Sequence, residues 1–216
     1  MLNRFARVLI TKLLSPVAAL LVRMGISPDV VTLVGTLGVS LAALWFYPQG
    51  QFLVGTLVIT AFVFSDTIDG IMARSTGRSS AWGAFLDSTL DRIGDAAIFG
   101  GLVLYYAGGT GRLDQALAAV CLACLVFGQV VSYARARAEG LGMTANVGIA
   151  ERADRLVVVL VTVALTALFH LPETILFVVL TLLAVASLVT IVQRMLTVRR
   201  QALSAARAAG AEPGGE

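Results

Sequence analysis

The sequence predicts an all-α integral membrane protein with six transmembrane helices and an N-terminal amphipathic helix lying in the membrane interface. Hydrophobic residues make up 58% of the 216 residues, and charged residues only 13%. A soluble domain has about 45–50% apolar and about 25% charged residues. With a mean hydropathy of +0.89, the composition favours a chain surrounded by lipid, and we expect membrane lipids and no nucleic acid among its partners.

The spans follow from the apolar runs, since about 20 such residues are needed to cross a bilayer. Short polar turns at residues 48–50, 108–111 and 171–173 separate three pairs of runs. The predicted spans are residues 30–47, 52–73, 84–107, 115–134, 156–171 and 174–196.

The basic residues predict the orientation. The three turns at residues 48–50, 108–111 and 171–173 lie on one side of the predicted membrane domain, and Arg112, beside the second turn, is the one basic residue on that side. Positive residues stay on the cytoplasmic side, so we expect a plasma-membrane protein whose two termini both face the cytosol, which requires an even number of spans. The residues on the expected cytosolic side are Arg4, Arg7, Lys12, Arg23, Arg74, Arg78, Arg135, Arg137, Arg152, Arg155, Arg194, Arg199, Arg200 and Arg207.

Three segments are expected along the chain. Residues 1–27 are predicted to lie in the interface plane, because apolar and basic residues occupy different sides of a helical wheel. A cleaved signal peptide fits less well, since Lys12 interrupts the apolar stretch. Residues 28–200 are predicted to form the six-helix catalytic domain. Residues 201–216, rich in Ala, Gly and charge, are predicted to be a disordered cytoplasmic tail.

Four aspartates stand where a membrane helix should be apolar. Asp66 and Asp69 lie near the end of the second span, and Asp87 and Asp91 near the start of the third. Spacings of three and four residues place each pair on one helix face. The two helices are antiparallel neighbours, so the four carboxylates are expected to converge near the cytoplasmic boundary. Ionisable groups in spans are costly and suggest function.

The aspartates favour a metal site. Hard divalent cations take oxygen ligands and commonly bridge to phosphate oxygens. We therefore expect one or two Mg²⁺ ions, with Mn²⁺ as the alternative, bound by the four carboxylates and gripping a diphosphate. The competing interpretation is that the aspartates form ion pairs with Arg74, Arg78 and Arg92. Such pairs would neutralise part of the negative charge, but they would not explain why so costly a cluster of carboxylates is present.

The spacing of these residues resembles the signature of the CDP-alcohol phosphotransferase family, and all eight positions of that signature are filled. The six-span topology with an interfacial helix is also similar, so the resemblance covers nearly the whole chain. The eight positions are Asp66, Asp69, Gly70, Ala73, Arg74, Gly83, Asp87 and Asp91.

The resemblance implies a reaction and a role for each residue. The four aspartates would hold two divalent ions on the diphosphate of CDP-diacylglycerol, and Asp91 would also act as general base on the acceptor hydroxyl. The family also implies a homodimer. Residues implied to contact the cytidine nucleotide are Asp29, Thr32, Gly70, Arg74 and Ser80.

A second group of polar and basic residues ends the fourth predicted span, opens the fifth and lies at the end of the sixth. This pattern resembles the actinobacterial branch of the family, the phosphatidylinositol phosphate synthases, whose acceptor is inositol 3-phosphate. The resemblance implies that Arg135, Arg155 and Arg194, with Ser132, bind the acceptor's phosphate. Arginine pairs bidentately with phosphate, so a soluble phosphorylated alcohol is the expected partner.

Three alternatives stay open from the sequence. Phosphatidylglycerol phosphate synthases also use a phosphorylated acceptor, glycerol 3-phosphate. A membrane prenyltransferase would carry its aspartate motifs on two well-separated segments, whereas all four here fall between Asp66 and Asp91. An ion-coupled transporter would place carboxylates near the midplane and often contain an internal repeat.

Overall fold

The computed structural model describes the backbone of residues 2–75 and 80–210, and the side chains of residues 12–75 and 80–207. Over these residues the secondary structure is helical, which confirms the predicted all-α class. The chain divides into two compact units, Met1–Gly109 and Thr110–Glu216, where one domain was expected over residues 28–200.

The first unit is built around its second helix. In chain order it contains α1 (Leu2–Arg23), α2 (Pro28–Phe46), a 3₁₀ turn (Tyr47–Gln49), α3 (Phe52–Val63), α4 (Ser65–Ser75) and α5 (Ala81–Ala107). Helix α2 packs against α3, α4 and α5, and α1 packs against α4. Ser27 caps α2 by accepting a hydrogen bond from the N–H of Val30, and a proline in the first turn of a helix is pre-organised for that position.

The second predicted span is not one continuous helix, because the chain breaks between α3 and α4 at Phe64. The Ser65 hydroxyl donates to the Phe62 carbonyl at 2.6 Å, which offers the backbone a partner outside the regular helical pattern. Gly35 on α2 makes room for this break, since a Cβ there would lie 1.7 Å from Ser65 Oγ. The result is a separate short helix, α4, that carries Asp66 and Asp69.

The second unit contains three helices, α6 (Arg112–Glu139), α7 (Arg152–Phe169) and α8 (Glu173–Gly210). Both α6 and α7 pack against α8. Helix α7 ends at Phe169, and the next residue, His170, adopts a left-handed conformation with φ of 50°, a common way for a helix to stop.

Within the described residues, four helical segments are long and apolar enough to cross a membrane. The predicted third and fifth spans are present as the helices α5 and α7. Both carry several charges near their N-terminal ends, and neither is among the four apolar segments. In α7 these charges are Arg152, Asp154 and Arg155. The four qualifying segments are Pro28–Gln49, Phe52–Ser75, Arg112–Glu139 and Glu173–Arg207.

The C-terminal tail differs from its prediction. Helix α8 continues to Gly210, so residues 201–210 are helical, and residues 211–216 lie outside the described part of the chain. Alanine is the best helix former, and the alanine-rich composition that suggested disorder also suits the continuation of a helix that has already formed.

Candidate active site

The first unit contains a cavity of about 550 Å³ at the predicted site. Its walls come from the first turn of α2, from α4 and from the first turns of α5. Apart from Asp91, every residue predicted to bind metal or nucleotide lines it. The lining residues are Pro28, Asp29, Thr32, Asp66, Asp69, Gly70, Ala73, Arg74, Ser80, Gly83, Ala84 and Asp87.

Asp69 is the most enclosed carboxylate in this cavity, with 7% of its surface exposed. The Thr32 hydroxyl donates to Asp69 Oδ2 at 2.5 Å, and Thr32 is itself buried. A buried carboxylate is costly unless hydrogen bonds or cations compensate it. This contact between α2 and α4 therefore fixes the direction in which the carboxylate points.

The N-terminus of α5 forms one wall of the cavity. Ser80 caps it, with its Oγ accepting from the N–H of Gly83 at 3.0 Å. A Cβ on Gly83 would lie 3.3 Å from Ser80 Oγ and 3.7 Å from Asp29 Oδ1. The N-terminal turns of α2 and α5 thus meet at one place, and helix N-termini favour phosphate groups.

Arg74 is the only basic residue among the described residues that line the cavity. Its guanidinium lies over Gly70, where an added Cβ would come within 3.4 Å of Nη1. Gly70 therefore leaves open the surface on which the guanidinium rests. The arrangement gives the acidic cavity one cation suited to an anionic ligand.

Asp91 lies one turn beyond Asp87 on α5 and does not line this cavity. Its Oδ2 pairs with Arg92 Nη2 at 3.3 Å, with 15% of the side chain exposed. The ion-pair interpretation therefore holds for Asp91 and Arg92. Arg78, another cation that it invoked, lies outside the described residues.

The residues fit a divalent metal in donor type and in placement around one cavity. Asp66, Asp69 and Asp87 all line it, and carboxylate oxygens are the ligands that Mg²⁺ and Mn²⁺ prefer. Within residues 12–75 and 80–207, no three His, Cys, Asp or Glu side chains come close enough to hold one ion as they stand. The three carboxylates therefore share one cavity, but they are too far apart to coordinate a single ion together.

In the second unit, Arg155 and Ser132 meet at one carbonyl. Arg155 is 2% exposed and donates from Nη1 to the Ala150 carbonyl at 3.1 Å. Its Nη2 donates to the Gly128 carbonyl at 3.4 Å, and Ser132 Oγ donates to the same carbonyl at 3.2 Å.

Arg194 reaches the next turn of α6. It is 3% exposed, and its guanidinium donates from Nη1 to the Val131 carbonyl at 2.5 Å and from Nε to the Val147 carbonyl at 2.9 Å. Arg135, by contrast, is exposed and pairs with Glu139 on its own helix at 3.0 Å. Three of the four predicted acceptor residues thus converge on α6, and Arg135 lies on the surface of that helix.

Comparison with known proteins identifies the family. Residues 25–149 match the family described as CDP-alcohol phosphatidyltransferase. The chain belongs to the CDP-alcohol phosphatidyltransferase family. It is a phosphotransferase enzyme of phospholipid synthesis and a multi-pass membrane protein, which confirms the resemblance and removes the transporter and prenyltransferase alternatives.

Relatives in this family bear the inositol name. The chain is 54% identical to the phosphatidylinositol phosphate synthase of Streptomyces avermitilis, over 98% of this chain and 88% of the relative. It is 50% identical to the synthase of the same name from Cutibacterium acnes, over 88% and 93%. These names favour the inositol branch over phosphatidylglycerol phosphate synthase.

Solved structures of a related protein have the same fold. The phosphatidylinositol phosphate synthase of Mycobacterium tuberculosis, in a crystal structure with CDP-DAG bound, matches with a TM-score of 0.81 at 41% identity, covering 87% of this chain and 94% of that one. The same protein in complex with manganese and citrate also matches with a TM-score of 0.81, at 42% identity, covering 86% and 88%.

Two residues of this phosphatidyltransferase were missed by the sequence analysis. A Cβ on Gly128 would lie 3.2–3.4 Å from the Arg155 guanidinium, so Gly128 makes the space in which the arginine lies. Its position one turn before Ser132 was the available signal. Thr190 accepts from the N–H groups of Ile149 and Ala150 at 3.1 Å each. Its contacts lie about 40 residues away in sequence, and no local pattern indicates them.

Proposed function

We propose that this enzyme transfers the phosphatidyl group of CDP-diacylglycerol to 1D-myo-inositol 3-phosphate, giving phosphatidylinositol phosphate and CMP. The observation that carries the proposal is the cavity in which Asp66, Asp69 and Asp87 line one space with the five residues that the family resemblance implies for nucleotide binding. The names of the relatives favour the inositol acceptor.

The donor's diphosphate suits this cavity electrostatically. The N-terminal turns of α2 and α5 present backbone N–H groups and the positive ends of their dipoles, and Arg74 adds a full charge. Asp29, Thr32, Gly70, Arg74 and Ser80 would contact the cytidine nucleotide.

Asp66, Asp69, Asp87 and Asp91 would hold two divalent ions, either Mg²⁺ or Mn²⁺. When bound, such ions neutralise the carboxylates and polarise the oxygens of the diphosphate. The hydrogen bond from Thr32 keeps Asp69 directed for this role. A related synthase crystallised with manganese supports the choice of metal.

The transfer needs one proton to be moved. Asp91 would accept the proton of the acceptor hydroxyl as that oxygen attacks the lipid-side phosphorus and the bond to CMP breaks. A general base must come within hydrogen-bond reach of the proton that it removes. The Asp91 side chain is 15% exposed and pairs with Arg92 at 3.3 Å.

The acceptor's phosphate would be bound by Ser132, Arg135, Arg155 and Arg194. A guanidinium carries five N–H donors in a fixed plane. Arg194 uses one donor each for the Val131 and Val147 carbonyls, so its orientation is set while other donors remain for phosphate. Arg155 also donates to two backbone carbonyls. Arg155 and Arg194 would thus both be held in fixed orientations for a bidentate contact with the phosphate.

The membrane arrangement would follow the sequence prediction. Helices α5 and α7 would be the third and fifth of six spans, with their charged N-terminal ends at the cytoplasmic boundary of the plasma membrane and both termini in the cytosol. Helix α1 would lie in the interface, since Leu13, Val17 and Leu20 are exposed on it and available to lipid. The enzyme would act as a homodimer.

The test is CMP release by the purified protein with CDP-diacylglycerol and Mg²⁺, comparing inositol 3-phosphate, free inositol and glycerol 3-phosphate. We expect turnover with inositol 3-phosphate alone, loss of turnover in excess EDTA, and its return with Mg²⁺ or Mn²⁺. Asp91→Asn should abolish it. Turnover with glycerol 3-phosphate instead would keep the enzyme class and reject the acceptor, and CMP release that is insensitive to EDTA would reject the metal.

A further inference from the structure

The segment between α6 and α7, residues 140–151, is attached to α8 by side chains of that helix. At its start, the Gln201 amide accepts from the Thr144 N–H at 3.0 Å and donates to the Thr144 carbonyl at 2.6 Å. In its middle, Arg194 Nε donates to the Val147 carbonyl. The segment is therefore held by specific polar contacts along its length.

Thr190 holds the end of this segment, next to α7. The side chain is fully buried. Its Oγ1 accepts from the N–H groups of Ile149 and Ala150 at 3.1 Å each and donates to the Ala186 carbonyl at 2.9 Å. A Cβ on Gly148, whose φ is 142°, would lie 2.3 Å from Thr190 Cγ2. The glycine therefore allows the backbone to rest directly on the threonine.

A continuous set of hydrogen bonds leads from Thr190 to the acceptor residues. Ala150 donates its N–H to Thr190 and accepts from Arg155 Nη1 with its carbonyl. The same guanidinium donates to the Gly128 carbonyl, which also accepts from Ser132. The position of the Ala150 backbone thus affects the plane in which the Arg155 guanidinium lies.

We propose that Thr190 is a positioning residue of the acceptor site: its hydroxyl fixes Ala150, whose carbonyl orients the Arg155 guanidinium toward the acceptor's phosphate. This inference rests on the proposed function, in which Arg155 binds that phosphate. Bidentate recognition requires the guanidinium plane to match the phosphate oxygens. A small misplacement of such a group lowers catalysis steeply, even though Thr190 touches no substrate.

The test measures KM separately for inositol 3-phosphate and CDP-diacylglycerol in variants of one helix. Thr190→Val keeps the shape of the side chain but removes the acceptor of the buried Ala150 N–H and of the part-buried Ile149 N–H, while Thr190→Ser keeps the hydroxyl. The matched control is Thr181→Val, because the Thr181 hydroxyl donates to the Phe177 carbonyl within α8 and not to the segment. Thermal unfolding in detergent reports the folded fraction.

We expect Thr190→Val to raise KM for inositol 3-phosphate about tenfold, since the buried Ala150 N–H loses its acceptor and Ala150 will shift. KM for CDP-diacylglycerol should stay within about twofold, as a ground-state effect confined to the acceptor requires. Thr190→Ser and Thr181→Val should resemble the parent in both constants. An unchanged acceptor KM in folded Thr190→Val, or an equal rise in both constants, would overturn the inference.

Two further variants keep the result interpretable. If Thr190→Val does not fold, Thr190→Ala, which leaves space for water to reach the N–H groups, should show the same selective rise at smaller size, and its absence would reject the inference. Arg155→Lys separates this inference from the proposed function. A parental acceptor KM in Arg155→Lys rejects the phosphate role of Arg155, whereas a raised one beside a parental Thr190→Val rejects only the positioning role.

Discussion

Replacing Asp69 by asparagine is expected to lower kcat/KM about 10³-fold or more, because the metal-assisted stabilisation of a phosphoryl transfer is worth several kcal/mol. Asparagine keeps the size of the side chain and an oxygen that can accept from Thr32, so the contact in the cavity wall survives. What is lost is the charge on the most enclosed carboxylate of the cavity.

The same substitution is expected to raise the Tm of metal-free protein. Asp69 lines the cavity with three further carboxylates, Asp29, Asp66 and Asp87, and like charges brought together in a partly buried space destabilise the fold. Removing one relieves that repulsion, as often happens when a functional group is removed from an active site. Adding Mn²⁺ should then raise the Tm of the parent more than that of the variant.

Asp114→Asn is the matched control for this prediction. Asp114 accepts from the Gly111 N–H at the start of α6, a role that an asparagine side-chain oxygen can also fill. We expect parental activity and a parental response to Mn²⁺. An active Asp69→Asn enzyme, or one whose Tm responds to Mn²⁺ as the parent's does, would contradict the assignment of Asp69 as a metal ligand.

Arg155→Lys is expected to raise KM for inositol 3-phosphate about 10²-fold, since a charge-assisted bond of about 1.5–3 kcal/mol is lost with the bidentate geometry. Lysine keeps the positive charge but cannot bind the Ala150 and Gly128 carbonyls and a phosphate in one plane. KM for CDP-diacylglycerol should change little, and steady-state kinetics in both substrates measures the two effects separately.

Arg137→Lys is the control for Arg155→Lys, because Arg137 is an exposed arginine on α6 and should tolerate the change. A 10²-fold rise in both KM values for Arg155→Lys, accompanied by a lower Tm, would indicate a structural brace instead of a phosphate ligand. An unchanged acceptor KM would show that the acceptor's phosphate binds elsewhere.

Most of the residues that line the cavity were predictable from sequence, because those between Asp66 and Asp87 are close together along the chain. Asp66, Asp69 and Asp87 lie on the consecutive helices α4 and α5, and helical spacing places Asp66 with Asp69 on one face. Asp91 was predicted to share the site with Asp87 but is not among the residues that line the cavity. What the pattern did not indicate is the break at Phe64. It depends on the packing of Ser65 against Gly35, a residue of another helix.

Spans were harder to predict than helices. The predicted third and fifth spans are helical in α5 and α7, but hydrophobic averaging cannot distinguish a span from a helix whose end carries functional charges. Arg152, Asp154 and Arg155 fill the first turn of α7. These charges suggest a functional site, and they also make the helix too polar to be recognised as a membrane span by its hydropathy. The C-terminal tail was mispredicted up to residue 210 because composition does not report where an existing helix ends.

The geometry of the predicted acceptor residues depended more on tertiary structure. Sequence resemblance implied Arg155 and Arg194, yet their orientation is set by carbonyls at Gly128, Val131 and Val147. These contacts span from about 27 to 63 positions along the chain, and no periodic pattern encodes them. Arg135 shows the converse, since it has the expected charge but pairs with its helix neighbour Glu139 on the surface.

The most direct test of the central claim follows the oxygen that forms the new bond. Inositol 3-phosphate carrying ¹⁸O in its attacking hydroxyl would be incubated with the purified enzyme, CDP-diacylglycerol and Mg²⁺, and both products analysed by mass spectrometry, with Asp91→Asn as the inactive control. We predict that the label appears in the lipid product, bridging inositol and the phosphatidyl phosphorus, and that CMP is unlabelled. Label in the nucleotide product, or a lipid product without label, would contradict attack of the acceptor on the lipid-side phosphorus.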